Sequence, residues 1–130
     1  MTSTRTTPRK ILVADDATVG RAVFEKLLTA LGYEPVFARD GRDAINLFIE
    51  MPDIAAILMD VRMPGLNGIK ATHQIRYSGG PRGLSVPIIG ITAADGPEVR
   101  RECLATGMNE VLVKPLDPRA LVETLRRLVH

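Results

Sequence analysis

The residues of this 130-residue chain best suited to chemistry are acids, a hydroxyl and a lysine that each follow a short apolar run. They are Asp15, Asp16, Asp60, Thr92 and Lys114. Carboxylates held close together repel one another, so a cluster of them favours a bound cation. Carboxylate oxygens suit Mg²⁺, which keeps several waters and accepts phosphoryl oxygens. A carboxylate in that setting is also a nucleophile that forms an aspartyl phosphate, with the lysine and the hydroxyl holding the remaining phosphoryl oxygens.

These residues act together only if the fold brings them to one place. Apolar runs typical of strands cover residues 10–14, 34–38, 54–59, 86–91 and 111–113. A segment with helical spacing follows each run, so the pattern predicts one doubly wound α/β domain with a parallel sheet covered on both faces. Because the carboxyl ends of parallel strands lie at one edge of the sheet, we expect the candidate residues to converge there.

The sequence also makes local predictions that the structure tests. In the first helix, the spacing predicts an inner stripe formed by Val19, Val23, Leu27 and Leu31 and widened by Phe24 and Leu28. Gly32 suits the left-handed residue that ends this helix. The segment 78–83, Ser-Gly-Gly-Pro-Arg-Gly, is predicted to be a loop.

The composition, 45% hydrophobic and 25% charged residues, is ordinary for a globular protein, and residues 1–9 read as a flexible tail before a domain at 10–130. The net charge is only +2 and no basic stripe is interleaved with aromatics, so nucleic acid is not an expected partner. No apolar run approaches the ~18 residues that span a bilayer. Cys103 is the single cysteine, which excludes an intrachain disulfide and favours a reducing compartment. We therefore expect a cytoplasmic protein without a membrane partner.

The candidate residues stand in short motifs: Asp15-Asp16, Met59-Asp60 with Met63-Pro64-Gly65 and Asn67-Gly68, Ile91-Thr92-Ala93, and Lys114-Pro115. Together these motifs resemble the response-regulator receiver domains of two-component signalling, and the resemblance runs from Lys10 to Val129. It implies a flavodoxin-like (βα)5 fold with strand order 2-1-3-4-5. The amino-acid sequences of 68–72 and 107–109 resemble those of receivers of hybrid histidine kinases in particular.

By that resemblance, Asp60 accepts a phosphoryl group from a phosphohistidine, while Thr92 and Lys114 bind the phosphoryl oxygens. The implied Mg²⁺ ligands are Asp15, acting partly through water, Asp16, Asp60 and the backbone carbonyl of Arg62. The implied partner is a sensor histidine kinase or a histidine phosphotransfer protein, and the chain is expected to be a monomer or weak dimer. Such a domain is not an enzyme with a separate substrate, because it catalyses its own phosphorylation and dephosphorylation. The Lys114-Pro115 peptide bond is expected to be cis.

Val111 departs from the family pattern, since many receivers carry Tyr or Phe three residues before the strand-five lysine. A valine cannot act as an aromatic rotamer switch, so it is interpreted as a buried strand residue and the usual output surface comes into doubt. A non-phosphorylated pseudo-receiver that only binds partners remains the alternative function. The chain is expected to be either a stand-alone regulator or relay intermediate, or a domain of a longer protein.

Overall fold

A computed structural model of the chain describes residues 8–15, 18–63, 65–93 and 96–129. The strands in these ranges are β1 (Lys10–Ala14), β2 (Glu34–Ala38), β3 (Ile54–Asp60), β4 (Ile88–Thr92) and β5 (Glu110–Val113). The helices are α1 (Thr18–Ala30), α2 (Gly41–Glu50), α3 (Gly68–Ser78), α4 (Gly80–Ser85), α5 (Pro97–Thr106) and α6 (Pro118–Leu128). Most of the predicted tail lies outside the described residues. No described helix is both long and apolar enough to cross a membrane.

All the strands pair in parallel, in the order β2-β1-β3-β4-β5, which confirms the predicted fold class and strand order. The register aligns the carboxyl ends of neighbouring strands. Asp60 pairs with Ile91, and Thr92 pairs with Val113. The residue after each of these strands therefore begins its loop at the same edge of the sheet.

Alternate strand residues feed two apolar layers, because successive side chains point to opposite faces of a sheet. Leu12, Ile57 and Ile88 belong to the layer that includes residues of α2, α3 and α5. Ile11, Leu58 and Ile89 belong to the layer under α1 and α6. Each of these six side chains is fully buried, and burying one such side chain stabilises the fold by about 1.5–3 kcal/mol.

Helix α1 has the predicted period, and its predicted inner stripe is wrong at Val23, while the side chain of Val19 lies outside the described residues. Phe24 and Leu28 are at most 4% exposed and pack in the layer under α1, whereas Val23 is 56% exposed. Leu27 and Leu31 are half-buried beside that layer. The sheet therefore meets the side of α1 centred on Phe24 and Leu28. Gly32 has φ +89°, so the predicted left-handed end of the helix is confirmed.

The predicted loop at 78–83 is wrong in part, because residues 80–85 form the short helix α4. Gly80 takes φ +70°, which lets the chain turn sharply after α3. Gly83 packs so closely on α3 that a Cβ there would lie 2.2 Å from the carbonyl oxygen of Ile75. The Val86 N–H completes α4 by donating to the carbonyl of Arg82 at 2.9 Å, and β4 begins at Ile88 instead of residue 86.

The guanidinium of Arg76 on α3 ties several elements together at the amino end of β4. It donates to the carbonyls of Gly107 after α5, Gly83 in α4 and Val86 before β4, and to Oδ1 of Asn109, at distances of 2.7–3.0 Å. Asn109 in turn accepts the N–H of Ile88 at 2.8 Å. Partial burial lowers the pKa of Arg76 from its ordinary value, and the planar fork of donors suits this set of acceptors.

We expect Arg76→Lys to destabilise the fold by about 2–4 kcal/mol, because an ammonium keeps the charge but cannot reproduce the fork of hydrogen bonds. Urea denaturation followed by circular dichroism measures the change. Arg101→Lys, at an exposed position on α5, is the matched control and should fall within about 0.5 kcal/mol of the wild type. Equal losses in the two variants would contradict this role of Arg76.

Candidate functional site

Four of the five predicted chemical residues lie at the carboxyl edge of the sheet. Asp60 ends β3, Thr92 ends β4, Asp15 follows β1 and Lys114 follows β5. The structure joins two of them directly, because Lys114 Nζ lies 3.0 Å from Asp60 Oδ2. Asp15, Asp60 and Thr92 are each at most 5% exposed. The fifth residue, Asp16, lies outside the described residues.

The Asp60 carboxylate is held through both oxygens. Oδ2 accepts from Lys114, while Oδ1 accepts the backbone N–H of Arg62 at 3.1 Å. The chain around it is also fixed, since the Val61 N–H donates to the carbonyl of Ile91 at 2.9 Å. A carboxylate at a strand end, oriented from two sides, is a nucleophile with a defined position.

The neighbouring strand ends are positioned by the sheet itself. The Asp15 N–H donates to the carbonyl of Ala38 at 3.3 Å, and the Lys114 N–H donates to the carbonyl of Thr92 at 2.8 Å. The Lys114-Pro115 bond is cis, as expected. Backbone hydrogen bonds alone thus position Asp15 relative to β2 and Lys114 relative to β4.

Comparison with known proteins identifies the chain. The family model for the response regulator receiver domain matches residues 11–126. This chain belongs to the response regulator receiver domain family. It is 37% identical over 115 residues to the sensor histidine kinase RcsC of Escherichia coli, a match that covers 88% of this chain and 12% of RcsC.

Solved structures agree with this assignment. The receiver domain of the Pseudomonas aeruginosa sensor histidine kinase PA1611, which has magnesium coordinated in its active-site cleft, is 37% identical with a TM-score of 0.84. That match covers 94% of this chain and 98% of the other. The receiver of Ssk1 from Saccharomyces cerevisiae, solved with the phosphotransfer protein Ypd1, is 27% identical with a TM-score of 0.85, covering 96% and 92% of the two chains. This chain is therefore a receiver domain of two-component or phosphorelay signalling.

The electrostatics of this receiver follow from the burial of its central acid. Burial raises the pKa of Asp60 above the ordinary 3.8, and the negative charge of Asp15 acts in the same direction. The hydrogen bonds from Lys114 and from the Arg62 N–H oppose the rise without cancelling it. The described residues therefore stabilise the negative charge of Asp60 only in part, and a cation at this edge of the sheet would stabilise it further.

Two glycines at the starts of α2 and α3 shape the loop after β3. A Cβ on Gly68 would lie 2.1 Å from the carbonyl oxygen of Asp60, and one on Gly41 would lie 2.2 Å from that of Leu66. The Gly41 N–H also donates to the Leu66 carbonyl at 3.2 Å. Gly68 belongs to the Asn67-Gly68 motif, but the close contacts of both glycines with this loop follow only from the packing of α2 and α3.

Of the three predicted carboxylate ligands, Asp15 and Asp60 lie at the carboxyl edge of the sheet. Within the described ranges, no group of three or more His, Cys, Asp or Glu residues is arranged to hold a metal ion. Arg62 lies two residues after Asp60 with an exposed side chain. The metal-binding role of its carbonyl stays a prediction.

We expect Asp60→Asn to raise the melting midpoint of the metal-free protein at pH 7. Because the pKa of Asp60 is raised on folding, its contribution to stability is fully present below the unfolded value near 3.8 and is lost as the pH rises through the folded value. The neutral amide avoids that loss, so we expect a gain on the order of 1 kcal/mol, or about 4 °C for a chain of this size. Circular dichroism melts in EDTA measure it.

The gain should shrink as the pH falls through the folded pKa of Asp60 and should be absent below 3.8, where the carboxyl is protonated in both states. Asp53→Asn is the control, because the hydrogen bond from Lys10 lowers the pKa of this exposed acid, and its loss should give no gain at pH 7. A midpoint for Asp60→Asn at or below that of the wild type at pH 7 would contradict the uncompensated charge.

Proposed function

We propose that this receiver takes a phosphoryl group from a phosphohistidine onto the carboxylate of Asp60, in a reaction that requires Mg²⁺. The observation that carries the proposal is the buried Asp60 carboxylate at the end of the central strand, with Lys114 Nζ at 3.0 Å. Burial without full charge compensation has little structural benefit, since a neutral residue would be cheaper to bury. It is useful in a site that binds a cation and a charged group.

The residues present suit Mg²⁺. Asp15 and Asp60 supply buried hard oxygen donors, and such donors match the preference of this ion. Burial first, and the charge of Asp15 in addition, raise the pKa of Asp60, so a bound cation would stabilise its charged form. The proposed ligands are these two carboxylates with Asp16 and the Arg62 carbonyl, as implied by the family resemblance. When bound, Mg²⁺ neutralises negative charge on the carboxylates and on the phosphoryl oxygens. The magnesium in the PA1611 receiver supports this assignment.

In the proposed transfer, one oxygen of the Asp60 carboxylate attacks phosphorus and a new O–P bond forms. The N–P bond of the phosphohistidine breaks, and its electron pair stays on the imidazole nitrogen. Lys114 moves its hydrogen bond from Asp60 to a phosphoryl oxygen, which its flexible four-carbon stem allows. Thr92 donates its hydroxyl to another phosphoryl oxygen. In dephosphorylation, a water oxygen forms a bond to phosphorus and releases a proton to solvent. The bond between phosphorus and the Asp60 oxygen breaks, and its electron pair stays on the carboxylate.

The proposed donor is the phosphohistidine of a sensor histidine kinase or of a histidine phosphotransfer protein, with this chain acting as a monomer or weak dimer in the cytoplasm. RcsC, a histidine kinase, and the Ypd1–Ssk1 complex support these two kinds of partner. This chain spans only 12% of the length of RcsC, so the proposal does not extend to the kinase activity of that protein.

Asp60→Asn should abolish phosphorylation, because the amide keeps the shape of the side chain but loses the nucleophilic charge. The measurement is intact mass after incubation with acetyl phosphate and MgCl₂, followed by transfer from a phosphorylated histidine protein. Asp53→Asn, at an exposed acid before the amino end of β3 and thus at the opposite end of that strand from Asp60, should be labelled as fully as the wild type. Undiminished labelling of the Asp60 variant would falsify the assignment, and no labelling of the wild type would favour a pseudo-receiver.

The surface formed by α5, β5 and α6 bears on which parts of the domain respond to phosphorylation. Val111 is 6% exposed on β5, as expected of a buried strand residue. Next to it, Glu110 pairs with Arg100 of α5 at 2.8 Å and with Arg127 of α6 at 3.1 Å. Arg100 also donates to the Val111 carbonyl at 3.2 Å. The surface formed by α5, β5 and α6 is thus cross-linked by ion pairs and has no aromatic ring to reposition.

We therefore expect phosphorylation to change the loops after Asp60 and Thr92 more than the α5, β5 and α6 surface. A ligand shifts a conformational equilibrium only by its differential affinity for the two states, and the cross-links disfavour a second state of this surface. Backbone NMR shifts on adding beryllofluoride and Mg²⁺ measure the change. Large concerted shifts from Glu98 through Val113, with dimerisation through that surface, would refute the expectation.

A further inference from the structure

Helix α1 carries a glycine in its first turn, where the helix begins next to the candidate site. Gly20 is the third residue of α1 and has no positive φ, so its backbone would accept any L-residue. Glycine within a helix costs about 0.5–1 kcal/mol relative to alanine. The local sequence therefore gives up helix stability at a position where the backbone does not require it.

The reason lies in the contact that a side chain would make. A Cβ on Gly20 would lie 3.2 Å from Oδ2 of Asp15 and 3.9 Å from its Cγ. The next neighbour, Cε2 of Phe24, is at 3.9 Å, which is an ordinary van der Waals contact. The carboxylate of Asp15 is therefore the group that a methyl at this position would press upon.

Asp15 can yield to such pressure only by moving its carboxylate. Its N–H donates to the carbonyl of Ala38, and the preceding Ala14 is paired with both β2 and β3. The side chain is buried, with 4% exposure. A methyl at Gly20 would thus turn or shift the carboxylate by a few tenths of an ångström while the backbone stays in place.

We propose that Gly20 is a positioning residue that holds Asp15 in the orientation needed for Mg²⁺ and thereby favours Mg²⁺ over larger cations. The inference rests on the proposed function, in which Asp15 serves the metal. Mg²⁺ demands near-octahedral ligands at about 2.0–2.1 Å, whereas Ca²⁺ accepts irregular sets at about 2.3–2.6 Å. A small displacement of one carboxylate should therefore weaken Mg²⁺ binding more than Ca²⁺ binding.

The test uses Gly20→Ala in the full chain, with melting-midpoint titrations in MgCl₂ and in CaCl₂ after removal of metal with EDTA. Each protein is referred to its own midpoint in EDTA, because the better helix propensity of alanine and its tight contact with Asp15 change the stability in opposite directions. Its Mg²⁺ affinity should fall about tenfold, the size of effect that outer positioning groups have on metal sites. Its Ca²⁺ affinity should change by no more than about twofold, since Ca²⁺ tolerates altered geometry.

Ala22→Gly is the matched control, because Ala22 is exposed on the same helix. It should melt below the wild type and bind both ions as the wild type does, which separates helix propensity from metal binding. Asp15→Ala supplies the second control. If Gly20 acts through Asp15, adding Gly20→Ala to that variant should not weaken Mg²⁺ binding further.

The outcomes separate the two proposals. A wild type that shows no Mg²⁺-dependent rise in midpoint overturns the proposed metal-dependent function and this inference together. A wild type that responds to Mg²⁺ while Gly20→Ala binds it equally well overturns only the role of Gly20. Equal losses of Mg²⁺ and Ca²⁺ affinity in Gly20→Ala overturn the selectivity.

Discussion

The site depends on a carboxylate that is buried without full charge compensation. Asp60 ends the central strand at 5% exposure, and its pKa is raised because burial outweighs the hydrogen bonds from Lys114 and the Arg62 N–H. The fold tolerates this cost because the sheet around Asp60 is held by apolar packing on both faces. A bound cation would stabilise the charged form of this buried carboxylate, and an oriented carboxylate can form a bond to a phosphoryl group. Both properties fit the receiver family to which the chain belongs.

Close backbone contacts turn the strand ends into one site. Gly68 packs on the Asp60 carbonyl and Gly41 on the Leu66 carbonyl, so the loop after β3 is held by α2 and α3. On the other side, Gly20 leaves room for the Asp15 carboxylate. In each case the absence of a side chain allows an oxygen atom to lie close to the glycine Cα. The glycines therefore help to set the geometry of the site, although the carboxylates carry its proposed chemistry.

The amino end of the sheet is organised by a different interaction. Arg76 joins α3 to α4, to the segment before β4 and to the end of α5 through its guanidinium fork. Arg100, Glu110 and Arg127 connect α5, β5 and α6. Charged hydrogen bonds thus connect the helices α3, α4, α5 and α6 to the amino end of the sheet.

The alternation of apolar runs and helical segments was enough to predict a parallel α/β sheet, because strand and helix periods are local properties. The motifs around Asp15, Asp60, Thr92 and Lys114 also predicted the chemistry and, by resemblance, the strand order. Tertiary structure alone decided that Val23 lies in solvent while Phe24 and Leu28 meet the sheet, since a helix period does not say which face is covered. It also made 80–85 a helix and set the contact of Gly20 with Asp15, because both follow from how distant backbone segments pack.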